Sequence, residues 1–148
     1  MTTATLEHAN ITIKDIAAVV RFITAALPDW QVRGQGEMDW YGKRIHWLHV
    51  GTASSYLALQ DGGEGAGPGW ETHEVGVKHL GFVTESVDDV VQRLEAAGYS
   101  LDHWGGDHPH RRRAYFTLRD ELQFEFVEYL SVLASERNDY GATPPAVA

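Results

Sequence analysis

The sequence predicts an α+β fold built from two copies of one module, each a strand, a capped helix and three further strands. Three observations carry this. Displacing the chain by 71 positions, from His8 to His79, aligns the first half with the second without a gap. Ile11 then falls on Phe82, Asp15 on Ser86, Ile16 on Val87, Val19 on Val90 and Val20 on Val91. Each half passes from period-two alternation to a helical stripe behind a capping residue. The last strands match as well: "YLALQ" lies on "QFEFV", so Leu57 and Leu59 correspond to Phe124 and Phe126, and Ala58 to Glu125.

In chain order, "EHANITIK" (7–14) alternates, with Ala9, Ile11 and Ile13 on one face and His8, Asn10 and Thr12 on the other. Asp15 caps a helix over 16–27 that Pro28 closes. Trp30 and Val32 mark a second, short strand. In 39–51, Gly42 sits in a turn ahead of an aromatic strand, and 54–61 forms a fourth strand. Residues 61–76, "DGGEGAGPGWETHEVG", have no periodicity and form a connecting loop. The pattern restarts with a strand at 77–84. Ser86 caps a helix, with Asp89 three residues on in the manner of a capping box. Val87, Val90, Val91 and Leu94 form its apolar stripe, and Gly98 ends it. Strands follow at 99–104, 112–120 and 122–130, and residues 131–148 form a frayed tail. The organisation expected is a first module over 1–60, the loop over 61–76, a second module over 77–130, and the tail.

Composition limits the partners. The net charge of −9 opposes binding to nucleic acid or an anionic membrane. No run approaches the roughly 20 apolar residues of a membrane span, and the N-terminus does not read as a signal peptide. With no cysteine, disulfides and thiolate metal sites are excluded and a cytoplasmic location is expected. Modules of about 55 residues are marginal alone, so pairing is expected, and with it a homodimer.

By strand parity His8, His79 and Glu125 face away from the helix-covered side. Two histidines at equivalent positions of a repeat, joined by one carboxylate, are a ligand set for a divalent metal with open positions. A carboxylate flanked by Phe124 and Phe126 is costly without a partner. In the absence of metal Glu125 is therefore expected to be poorly partnered, and Glu125→Ala to stabilise the empty chain.

The stretches "EHANITIKDIAAVVRF", "VKHLGFVTESVDDVVQRLEAAGY" and "YFTLRDELQFEFVEYLS" resemble the vicinal oxygen chelate superfamily. That superfamily holds glyoxalase I, extradiol dioxygenases, fosfomycin-resistance proteins, methylmalonyl-CoA epimerase and bleomycin-resistance proteins. The resemblance spans residues 6–130. It implies paired βαβββ modules whose mixed, open sheet cups one divalent metal (Fe, Mn, Ni, Co or Zn), with ligand positions at His8, Ala58, His79 and Glu125. Ala58 stands where glyoxalase I has a Glu, which leaves a His-His-Glu site, with Gln60 able to approach only through water. The usual "DPDG" turn is "RDEL" here. The activity implied is that of a lyase, isomerase or ring-cleaving dioxygenase on a small substrate that chelates through adjacent oxygens. The rival reading is a metal-free drug-binding protein of bleomycin-resistance type.

Around this site, either His46 and Leu48 or Ile45, Trp47 and His49 line the ligand face; parity alone leaves both open. Trp40, Tyr41 and Trp104 are candidates for an aromatic wall. In the loop "HWGGDHPHRRRAYF" (103–116), Arg111 and Arg113 are candidates to grip a substrate carboxylate or phosphate. Tyr115 or a loop histidine is a candidate acid or base. His108 and His110 are expected to be solvated.

Overall fold

A computed structural model describes residues 3–119 and 122–141. It contains two βαβββ modules, which fall in two compact units, Met1–Gly67 and Pro68–Ala148.

The first unit runs β1 (His8–Thr12), α1 (Ile16–Ala26), β2 (Gln31–Trp40), β3 (Lys43–Gly51) and β4 (Tyr56–Gln60). Its sheet has the order β1-β4-β3-β2, with β1 parallel to β4 and the other pairs antiparallel. Asp15 caps α1 by accepting from the Ala18 N–H at 2.9 Å, satisfying one of the donors every helix start leaves open. The stripe Ala18, Val19, Phe22, Ile23 and Ala26 is buried, as are Leu48, Val50, Leu57 and Leu59 on the sheet. At the β2–β3 turn, Tyr41 (φ 49°) and Gly42 (φ 82°) are both left-handed, the conformation of a two-residue type I′ hairpin.

The second unit runs β5 (His79–Val83), α2 (Val87–Ala96), β6 (His103–Trp104), β7 (Arg111–Leu118), β8 (Leu122–Tyr129) and a short α3 (Ala134–Arg137). The sheet order is β5-β8-β7-β6, again with one parallel pair, β5 with β8. Ser86 caps α2 through the Asp89 N–H at 3.2 Å. A second acceptor comes from the sheet: Glu128 takes the Val87 N–H at 3.0 Å, a carboxylate at the positive end of the helix. At the other end the Gly98 N–H donates to Glu95 O and the Tyr99 N–H to Leu94 O. With Gly98 at φ 91°, this is a Schellman ending. Phe116, Phe124 and Phe126 and the α2 residues Val87, Val90 and Leu94 are essentially inaccessible.

Three expectations need correction. The second strand is ten residues long, not short. Its "RGQGEMD" lacks apolar alternation because glycine, not a bulky side chain, faces the neighbouring strand: a Cβ at Gly36 would stand 3.0 Å from the Trp47 ring. The strand expected over 99–104 pairs only at His103 and Trp104. The stretch expected to fray is anchored over 131–141: Arg111 donates to the carbonyls of Arg137 (3.2 Å) and Asp139 (3.1 Å), and the Arg137 guanidinium lies 4.2 Å from the Tyr129 ring centre. Residues 142–148, and Asp120 and Glu121 of the "RDEL" turn, lie outside the described residues.

Candidate functional site

The site residues of the second unit lie on the sheet face opposite α2. Register places Glu125 between Gly81 of β5 and Tyr115 of β7, with His79 across from Gln123. His79 Nε2 is 3.1 Å from Glu125 Oε2, and the Tyr115 hydroxyl donates to Glu125 Oε1 at 2.5 Å. The His79 side chain is 39% exposed and that of Glu125 13%, so the carboxylate is nearly enclosed while the imidazole remains reachable. Both oxygens of Glu125 have partners. This overturns the expectation of a poorly partnered carboxylate, because the cross-strand tyrosine supplies a donor. Beside Oε2 the wall is open: a Cβ built on Gly81 would already lie 3.5 Å from that oxygen, so a longer side chain would fill the space.

Tyr115 is pushed up to about 12, first by burial and then by its hydrogen bond to Glu125. The phenol thus stays protonated through neutral pH and acts as a donor, not a base. Arg113 reaches it too; its charge and a hydrogen bond lower the phenol's pKa, but less than burial raises it. His103 lies flat on Tyr115, with ring centroids 4.5 Å apart and planes 6° apart, and Trp70 lies on His103 at 4.9 Å.

In the first unit, His8 occupies the sheet face opposite α1, with Tyr56, Ala58 and His49 beside it in the register. This settles the open parity: Trp47 and His49 share the His8 face, whereas Leu48 packs toward the helix side. His8 Nδ1 is 3.0 Å from Glu7 Oε2, and its ring stacks on Tyr56 at 4.8 Å. A carboxylate beside Nδ1 is the kind of outer group that orients a metal-binding histidine. Ala58 and Gln60 are both buried, at 8% and 6%.

The donors suit a divalent first-row metal: imidazole nitrogen and carboxylate oxygen, a gap at Gly81, and an outer partner on His8 and on Glu125. Among the described residues, no three His, Cys, Asp or Glu side chains are grouped to hold an ion. The expected ligands divide between the units, with His8 in the first and His79 and Glu125 in the second.

Several candidates take other roles. Trp40 and Tyr41 stand at the β2–β3 hairpin tip, whereas Trp104, across from Ala114 in the register, lines a cleft together with Gly105, Gly106 and Arg113. The aromatic groups stacked beside His8 are Tyr56 and, through Tyr56, His49; those beside Tyr115 are His103 and, through His103, Trp70. The signal for His103 was its pairing with Tyr115, which alternation within a two-residue strand does not reveal. Arg111 is spent on backbone carbonyls. His108 is half-buried, with Nε2 2.8 Å from Asp139 O, and its Nδ1 accepts the His110 N–H at 3.1 Å; both histidines are structural rather than solvated.

His46 lies on the helix side, beside a cleft of about 680 Å3 floored by Ile16, Val20 and Leu48. Its Nδ1 is 2.8 Å from Asp61 and its Nε2 3.1 Å from Glu37. The hydrogen bond to Asp61, and then that carboxylate's charge, raise the His46 pKa. A raised value means the protonated form is bound more tightly in the folded chain. Its stabilisation is complete below the unfolded value of about 6.5 and is lost as pH rises through the folded one. Thermal melts across that range should therefore show wild type losing more stability with rising pH than His46→Gln; parallel curves would exclude the bridge.

No helix among the described residues is long and apolar enough to cross a membrane. No protein of curated function matches the sequence significantly. Among solved structures, a glyoxalase/bleomycin resistance protein/dioxygenase domain from Frankia sp. EAN1pec is similar, with a TM-score of 0.69, 20% identity, and coverage of 93% of this chain and 100% of that one. A glyoxalase family protein from Bacillus cereus gives 0.71 at 14% identity, covering 88% and 97%. A Glu-to-Gln variant of the fosfomycin resistance protein FosX from Listeria monocytogenes, complexed with Mn(II) and 1S,2S-dihydroxypropylphosphonic acid, gives 0.65 at 18%, covering 89% and 96%. At these identities the likeness is one of fold. The family pattern matches residues 5–126, and the chain belongs to the Glyoxalase/Bleomycin resistance protein/Dioxygenase superfamily.

Proposed function

We propose that the chain is a divalent-metal-dependent enzyme of glyoxalase or dioxygenase type. His8, His79 and Glu125 hold one ion of Fe, Mn, Ni, Co or Zn, and the substrate is a small molecule that chelates through adjacent oxygens. The observation that carries this reading is the His79–Glu125–Tyr115 chain, with both carboxylate oxygens directed by neighbours and a gap at Gly81. Superfamily membership and the Mn(II) in the FosX structure support it.

When bound, the ion supplies Lewis acidity toward two adjacent substrate oxygens. Tyr115 holds its proton at the phenol oxygen, fixes Glu125 Oε1, and so leaves Oε2 as the ligating oxygen. Arg113 adds positive charge beside the phenol, where negative charge developing on a substrate is stabilised. Tyr115 and Arg113 are thus the proposed catalytic residues, in a lyase, isomerase or ring-cleaving reaction. Ala58 has no ligating group, so the coordination position that a Glu there would fill falls to water or substrate.

The test is the melting temperature of metal-stripped protein before and after each of the five metals is restored. Binding only the native form stabilises by about 2.7 kcal/mol at one hundred times the dissociation constant, a shift of several degrees. No shift with any of them would favour the metal-free binding protein.

We further propose a cytoplasmic homodimer, from the absence of cysteine and from outer strands at both ends of each four-stranded sheet. Light scattering should return twice the 16.5 kDa chain mass; a stable monomer at micromolar concentration would contradict it.

A further inference from the structure

The second unit contains a cleft of about 520 Å3, lined by Trp104, by the glycine loop Gly105–Gly106, by Asp107, and by Arg111 and Arg113 among others. Arg111 is committed to the carbonyls of Arg137 and Asp139, and Arg112, which also lines the cleft, to both oxygens of Asp88. Arg113 differs. Among the described residues it has no ion pair, and Asp107, the carboxylate in the lining, makes none with it. Its acceptors are uncharged: Gly106 O at a long 3.4 Å and the Tyr115 phenol. Its Nε is buried with no partner, as is that of Arg111, so it is the free guanidinium edge that sets Arg113 apart.

The glycines explain how the guanidinium is held. A Cβ at Gly105 would lie 2.8 Å from Arg113 Nε and 3.2 Å from Cζ, so the group rests against bare backbone. A Cβ at Gly106 would meet nothing within 4 Å, so the cleft is open there. In a chain of net charge −9, with acidic partners on Arg44 and Arg112, a half-buried arginine without a carboxylate is a position reserved for an anion from outside. Leaving a buried charge unpaired is expensive, and a guanidinium edge matches a planar carboxylate or a phosphonate in two-point hydrogen bonding.

We propose that the substrate carries an oxyanion that docks on Arg113 in the Gly105–Gly106 cleft. Arg113 and Tyr115 are alternate residues of β7, about 6.6 Å apart along a strand. The anion is therefore separated by only a few bonds from the substrate oxygens that approach Tyr115 and Glu125, which selects a small acid. This rests on the reading of the His79–Glu125 face as the reaction site.

The experiment is an NMR titration of the full chain with malonate or methylphosphonate at constant ionic strength, against chloride as control. Saturable shifts of the Gly105 and Gly106 amides are expected, with the tighter of the two probes naming the anion as carboxylate or phosphonate. Arg113→Gln should weaken binding about tenfold or more, the loss of one charge-assisted interaction. Arg113→Lys, which keeps the charge and guards against a folding defect in the glutamine variant, should retain part of it. No saturable shift in wild type, or equal binding in Arg113→Gln, would overturn the proposal. The metal-dependent melting shift, measured on the same samples, should survive Arg113→Gln. Its absence from wild type would overturn the metal reading while leaving the anion site standing.

Discussion

Glu125→Ala should abolish the metal-dependent rise in melting temperature and weaken metal binding by about 100-fold or more. Losing an outer partner of a ligand typically costs 10–100-fold, so losing the ligand itself costs at least the upper end. The metal-free chain should become less stable, not more. Alanine strands the half-buried Tyr115 hydroxyl, which now donates to Oε1 at 2.5 Å, and an unsatisfied donor costs about 1–3 kcal/mol. Glu125→Gln separates the two effects. It keeps a carbonyl acceptor for Tyr115 and removes the ligating charge, so metal-free stability should stay near wild type while the metal response largely disappears. Melts of both variants with and without metal check this; a full metal response in Glu125→Ala would remove Glu125 from the site.

The largest stability effect is expected at Phe126. Its side chain is fully buried, stacked on Phe82 at 5.9 Å and edge-on to Phe116 at 6.3 Å. Truncation to alanine removes its burial energy and leaves a cavity among rigid rings, costing about 3–5 kcal/mol. Phe126 and Glu125 are adjacent on β8 and face opposite ways, so Phe126→Ala should lower the melting temperature while the metal-dependent shift persists in the folded fraction. Denaturant unfolding, read beside metal titration, checks both halves. A loss below 1 kcal/mol would mean the core repacks around the gap.

The repeat was legible because both halves carry the same physical requirements at the same spacing. A polar cap at Asp15 and Ser86 precedes an apolar stripe, and alternation in the first strand exposes His8 and His79. Glu125 was legible from its phenylalanine neighbours, which fixed its face. What the residues alone withheld depends on strand pairing. Whether His46 or His49 shares the His8 face required the register of β3 against β4, where His49 meets Ala58. The length of β2 was hidden because Gly34 and Gly36 leave room for a tryptophan of the next strand, so no hydrophobic pattern marks it. Arg111 and Arg113 looked alike in "RRR", but one is tied to the carbonyls of a short helix's end and the other lies over glycine. Trp70 arrives from an aperiodic loop whose anchor, Lys78 donating to Gly69 O and Thr72 Oγ, has no local sequence pattern.

The ligand set proposed for one ion is His8, His79 and Glu125. Equilibrium dialysis of Mn(II) against wild type, His8→Ala and His79→Ala tests it most directly. One ion per chain is expected in wild type, with affinity reduced about 100-fold or more in each variant. Equal affinity and stoichiometry in wild type and His8→Ala would contradict it.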